Sequence, residues 1–143
     1  MPALFRIALA TALTGLTLSA FVPPAHAGPL ATTLTGAAEV PGPGDPDGSG
    51  TFVAKSKPGQ GTLCYTLTAT NIAPATAAHV HVGTADVAGP VVISLVPPTA
   101  GSATACATAA RDLLRQIARH PEQYYVNVHN AEYPGGAIRG QLG

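Results

Sequence analysis

Two short stretches carry the residues best suited to chemistry. In Ala78-His79-Val80-His81-Val82 a strand's period of two sends His79 and His81 to one face and Val80 and Val82 to the other. Their Cα atoms would lie about 6.6 to 6.8 Å apart, close enough for both imidazoles to reach one ion at about 2 Å. In Tyr125-Val126-Asn127-Val128-His129 the same rule turns Val126 and Val128 inward and sets Tyr125, Asn127 and His129 on the opposite face. If the two strands are neighbours, His79, His81 and His129 gather into a three-imidazole site, a donor set suited to copper or zinc. Spacing alone equally allows these histidines to face solvent or to hydrogen-bond adjacent strands.

Other polar residues stand nearby in the chain. Asn127 shares the His129 face, and the turn Tyr133-Pro134-Gly135-Gly136 folds the last strand back beside it. Glu132, Tyr133 and Arg139 are therefore candidates for a polar shell around the site, although a structural Glu132–Arg139 salt bridge is the better reading of that pair. His120, beside Pro121, is read as a partner for a helix C-terminal dipole. The serines lack the Gly-x-Ser-x-Gly elbow of a hydrolase, the acidic residues form no close pair of the kind glycoside hydrolysis needs, and there is no glycine-rich phosphate loop. Asp45-Pro46-Asp47-Gly48-Ser49-Gly50 departs from a calcium loop at Pro46 and at its missing terminal Glu, and is read as a solvated loop.

The elements that must position these residues are short strands between Gly and Pro turns. Strand character runs over Leu30–Thr35, Thr51–Lys57, Thr62–Thr70, Ala78–Val82, Val91–Val96, Tyr124–His129 and Ala137–Leu142. Between the fifth and sixth of these, Ala107–His120 changes period: Ala110, Leu113, Leu114 and Ile117 form one helical face, and Pro121 ends it. Seven alternating strands and one short helix predict an all-β, Greek-key-like β-sandwich of superoxide-dismutase or immunoglobulin type, with the helix in a connection.

Residues 1–27 read as an export signal: one Arg, the uncharged stretch Ile7–Val22, then Ala25-His26-Ala27 as the cleavage site. The uncharged run is too short and too rich in Thr for a membrane span. The expected domain, residues 28–143, keeps six basic and seven acidic residues and two cysteines. A near-neutral chain with scattered cations argues against nucleic acid as a partner. An even cysteine pair in an exported chain predicts a Cys64–Cys106 disulfide, and closing that loop is worth about 4 kcal/mol. Strand alternation places Cys64 opposite the Leu63, Tyr65, Leu67 stripe. It leaves open whether the bridge ties the outside of the sheet or whether both faces are covered.

Several of these segments together resemble a known family. The run from Tyr125 to Leu142, with Tyr-Val-Asn-Val-His, a Pro-Gly-Gly turn and Ile-Arg-Gly-Gln-Leu, resembles the ending of the CHRD (chordin) domain. Leu34-Thr35-Gly36, Glu39-Val40-Pro41, Ala78 to Gly83 and Gly89-Pro90-Val91-Val92 resemble it in order and spacing. The resemblance implies a β-rich extracellular module with no established reaction. Chordin's role as an antagonist of growth-factor signalling is not implied, because its cysteine-rich repeats have no counterpart here. A looser similarity, in His-x-His on a strand, a later His and one disulfide, is to copper/zinc superoxide dismutase, whose additional zinc-site ligands are missing.

Three functions are consistent with these residues. The first is a secreted, extracellular or periplasmic, non-catalytic binding module holding copper or zinc through His79, His81 and His129, with an extracellular protein as a further candidate partner. The second is a copper-dependent redox enzyme on the same histidines, with Arg139 guiding an anion. The third is an extracellular scaffold with no ligand.

Overall fold

The structure, a computed structural model, describes residues 29–143, so the expected export signal over residues 1–27 lies outside the described residues. Eight antiparallel strands follow one another: β1 (Leu30–Thr35), β2 (Ser49–Lys57), β3 (Thr62–Thr70), β4 (Ala77–Val82), β5 (Val91–Leu95), β6 (Ser102–Thr108), β7 (Tyr124–His129) and β8 (Ile138–Gln141). The single described helix of more than one turn, α1 (Arg111–Arg119), lies between β6 and β7. The strands form one sheet in the order β5-β4-β7-β8-β1-β2-β3-β6. Its two ends, β5 and β6, come into contact without a shared ladder, which makes the sheet a near-barrel.

The all-β architecture with one short helix is the expected one. The two layers that alternation predicts are two halves of one curled sheet, because residues from both halves share a single core. Leu34, Phe52, Leu63 and Leu67 from one half meet Val80, Ile93, Val126 and Val128 from the other. Burying such alternating stripes against each other is the main force that curls the sheet. Leu114 and Ile117 of α1 are fully buried and cap this core, with Leu113 packed beside them.

Beyond strand ends that move by one or two residues, two features differ from the sequence-based expectation. Strand β6 is an addition to the seven expected, and α1 begins at Arg111 rather than Ala107. In Ser-Ala-Thr-Ala-Cys-Ala-Thr the inward residues are alanines, which carry little apolar signal and favour helices when isolated. Only the β3 ladder, running from Thr62–Thr108 to Thr68–Ser102, makes this segment a strand.

That ladder also answers the open question about the bridge. Cys64 pairs directly with Cys106 across β3 and β6, and the two are joined by a disulfide. Cys64 is half-buried, Cys106 is exposed, and their neighbours Thr66 and Thr104 share their side of the strands, so the bond lies on the outer face. There it continues a cross-strand row of hydroxyl pairs, Thr66–Thr104 at 3.1 Å and Thr51–Thr68 at 2.8 Å. No helix among the described residues is long and apolar enough to cross a membrane.

Candidate metal centre

Strands β4 and β7 are direct antiparallel neighbours, although 41 residues separate the end of one from the start of the other. Their register sets His79 opposite Asn127, His81 opposite Tyr125, and His129 opposite Ala77. All these polar side chains therefore lie on the face turned away from the core, while Val80, Val126 and Val128 fill it. The three imidazoles meet there: one ring nitrogen of each lies within 4.8 Å of the others. Donors bound to one ion at 2.0 to 2.1 Å in a tetrahedral arrangement are about 3.4 Å apart, so the rings need only a small inward shift to share an ion.

Backbone carbonyls aim two of the rings. His81 Nδ1 donates to the Gly89 carbonyl at 2.8 Å, and His129 Nδ1 donates to the Pro134 carbonyl at 3.0 Å. A carbonyl can only accept, so both Nδ1 atoms carry hydrogen and each neutral ring keeps a lone pair at Nε2. Both Nε2 atoms lie against Asn127 Oδ1, at 2.9 and 3.0 Å, and His79 Nδ1 is 3.2 Å from His129 Nε2. Three lone-pair atoms thus face one another with the His79 N–H as the one donor among them. A proton or a cation relieves that crowding, and the surroundings disfavour the proton. Burial, followed by the charges of His129 and His81, holds His79 below the ordinary imidazole value. Burial does the same to His129, opposed by its bond to Pro134.

The loops that supply these carbonyls are themselves fixed. Gly89 packs so closely on β4 that a Cβ there would come within 1.7 Å of the Val82 carbonyl oxygen, and only glycine allows that approach. Its N–H donates to the Tyr125 hydroxyl at 3.1 Å. The Tyr125 ring stacks on His81 with centroids 4.6 Å apart, holding the imidazole from the side as Gly89 holds it from the edge.

Behind Asn127 the acidic residue that acts on Arg139 is not the expected one. Among the described residues no ion pair joins Glu132 to Arg139. Glu132 is exposed, and beside Tyr133 it lines a cleft of about 250 Å³ next to Pro134. Tyr133 serves the turn through its N–H, which donates to Asn130 Oδ1 at 2.7 Å. Arg139 is only 2% exposed and points the other way, with its guanidinium carbon 3.4 Å above the Tyr125 ring. Its carboxylate neighbour is Glu39, from the loop after β1, which sequence patterns do not reveal because a loop residue carries no periodic signal of where it will fold. His120 lies apart, ending α1 and facing Glu122 at 3.7 Å.

Burial pushes the Glu39 carboxyl up from 4.5 to about 7, against the opposing pull of Arg139, the Asn127 amide and the Val40 N–H. An acid raised on folding contributes stability below its unfolded value and loses it as pH rises through the folded one. The window here is pH 4.5 to about 7. Glu39→Gln is therefore expected to match the parent near pH 4 and to exceed it at pH 8 by up to about 3 kcal/mol, as read from urea unfolding at both pH values. A stability difference that does not change with pH would contradict this assignment.

Fold and site together define an all-β domain with an aimed three-histidine cluster on one sheet face. The family model described as CHRD domain matches residues 30–142, and the chain belongs to that family. No match was found among curated proteins or among solved structures.

Proposed function

We propose that this CHRD domain is an exported binding module that holds one copper or zinc ion through His79, His81 and His129. The observation that carries the reading is the convergence of the three imidazoles, two of them with Nδ1 tied to backbone carbonyls and Nε2 turned to a common point. Bonds of this kind from the second nitrogen of a ligating imidazole set its tautomer and orientation in metal sites generally. Imidazole nitrogen suits both ions, and copper(II) outcompetes zinc at a given nitrogen site. The Gly89 and Pro134 carbonyls would keep His81 and His129 turned to the ion, and the bound ion would supply Lewis acidity or, for copper, a redox couple. Export is supported by the residue 1–27 pattern and by the disulfide, a bond that persists in oxidising compartments.

The test is metal uptake by the folded domain, residues 28–143. Metal-free protein titrated with copper(II) or zinc(II) is expected to take up one equivalent, read by calorimetry and by elemental analysis after gel filtration. Protein that leaves the column without metal would sink the proposal. A superoxide assay on the copper-loaded domain separates module from enzyme: turnover no faster than that of free copper is the expected result.

A further inference from the structure

Asn127 shares the imidazole face, and a site of three histidines leaves its side-chain oxygen without a role. The residue is 3% exposed, and its Oδ1 lies 2.9 Å from His81 Nε2 and 3.0 Å from His129 Nε2. With both Nδ1 hydrogens given to backbone carbonyls, neither neutral ring has a hydrogen to offer that oxygen. Turning the amide over, to put its nitrogen on the rings, is opposed from the other side. There the Glu39 carboxyl takes a hydrogen bond from the Asn127 side chain, which only the amide nitrogen can donate. Burial opposes charge on Glu39, and Arg139, paired with Asn127 in the β7–β8 register, favours it. Oδ1 is thus a third lone-pair atom beside the two Nε2 atoms, held there by a contact that involves no histidine.

The spacing also distinguishes one ion geometry from another. Taken in order, His81 Nε2, Asn127 Oδ1, His129 Nε2 and His79 Nδ1 stand 2.9, 3.0 and 3.2 Å apart. Donors about 2.0 to 2.1 Å from an ion lie about 2.8 to 3.0 Å apart at right angles and about 3.4 Å apart in a tetrahedron. The two sides that end on Asn127 match the right angle, and the third falls between the two values. Tetragonal sets of nitrogen and oxygen select copper(II) or nickel(II), of which copper(II) binds more tightly. We propose that Asn127 Oδ1 is a fourth ligand, completing with the three imidazoles a square set for copper(II). The proposal rests on the three-histidine reading and goes beyond it in assigning the ligand oxygen and the ion. His79 joins through Nδ1, with its hydrogen on the ring's other nitrogen. Every in-plane position is then taken by protein, the closed form that holds an ion rather than opening it to a substrate.

Copper uptake by the parent domain is measured first, at pH 8, above the Glu39 value of about 7, so that the carboxyl holding the amide is ionised. A parent that takes up no copper overturns the three-histidine reading and this proposal with it. Copper-loaded protein is then made with asparagine carrying carbon-13 in its side-chain carbonyl. It is expected to show a carbon-13 coupling to the copper(II) electron spin that is absent in Asn127→Ala. In water enriched in oxygen-17 the parent spectrum is expected to stay sharp, and that of Asn127→Ala to broaden as water enters the vacated position. The variant is expected to bind one equivalent at least about tenfold more weakly. One equivalent of copper bound by the labelled parent without the coupling would overturn the proposal and leave the three-histidine reading standing. So would parental affinity in Asn127→Ala, since the short contacts would then be hydrogen bonds alone. The labelled parent carries the test by itself if Asn127→Ala does not fold.

Discussion

The double variant His81→Ala/His129→Ala is expected to lose at least about a hundredfold in copper and zinc affinity and to leave gel filtration without metal. Disturbing a group that merely supports a ligand already costs about 10- to 100-fold, and this variant removes two ligands outright. A parent domain held at a metal concentration about one hundred times its dissociation constant gains about 2.7 kcal/mol on binding, roughly a 10 °C rise in midpoint for a domain of this size. That rise should vanish in the double variant and in His79→Ala. His79 is the informative single site: the hydrogen-bond partner of its Nδ1 is another candidate ligand, His129, not a backbone carbonyl. If the histidines were only hydrogen-bonding one another, the parent domain would show no metal-dependent rise at all, and a rise that survives in His79→Ala would remove His79 from the ligand set. A second readout needs no metal. His79 and His129 are held below their ordinary value on folding, so the stability they contribute is present above pH 6.5 and is lost as pH falls through their folded values. The alanine variants should flatten that acid limb of the stability profile.

The histidines are legible in the sequence because strand geometry is periodic. His79 with His81, and Asn127 with His129, must share faces once their neighbouring valines are assigned to the core, and the register places them on those faces. What periodicity does not supply is adjacency. Nothing in either segment states that β4 pairs with β7, a contact made across the whole of β5, β6 and α1. The family resemblance carries the fold further than patterning does. The same limit explains Arg139: its nearest acidic candidate along the chain is Glu132, whereas the fold brings up Glu39 from the other end. Helix α1 is legible in its buried face, Leu114 and Ile117, and illegible at its start, where the alanines of β6 run on towards it. Both failures come from residues whose conformation is set by a distant partner rather than by their own neighbours.

Removing the bridge with Cys64→Ala/Cys106→Ala is expected to destabilise the domain by about 4 kcal/mol, because the unfolded chain regains the freedom of a loop spanning 42 residues. The corresponding fall in unfolding midpoint is about 15 °C. Where the loss shows first follows from the topology. Strand β6 ends the sheet order and ladders only with β3, since β5 meets it without a ladder. Its inward residues are alanines, of which Ala105 and Ala107 are only partly buried, so little apolar area holds it in place. The disulfide thus secures a strand beside the one seam that hydrogen bonds do not close. Hydrogen exchange should report faster exchange over β6 amides in the double-alanine variant, with β4 and β7 protected in proportion to global stability alone. Copper affinity at 25 °C should be unchanged, because none of the contacts that aim His81 and His129 comes from β3 or β6. A loss below about 1 kcal/mol would show that the unfolded chain is already restricted around this loop, and that the strand is held by core packing rather than by the covalent bond.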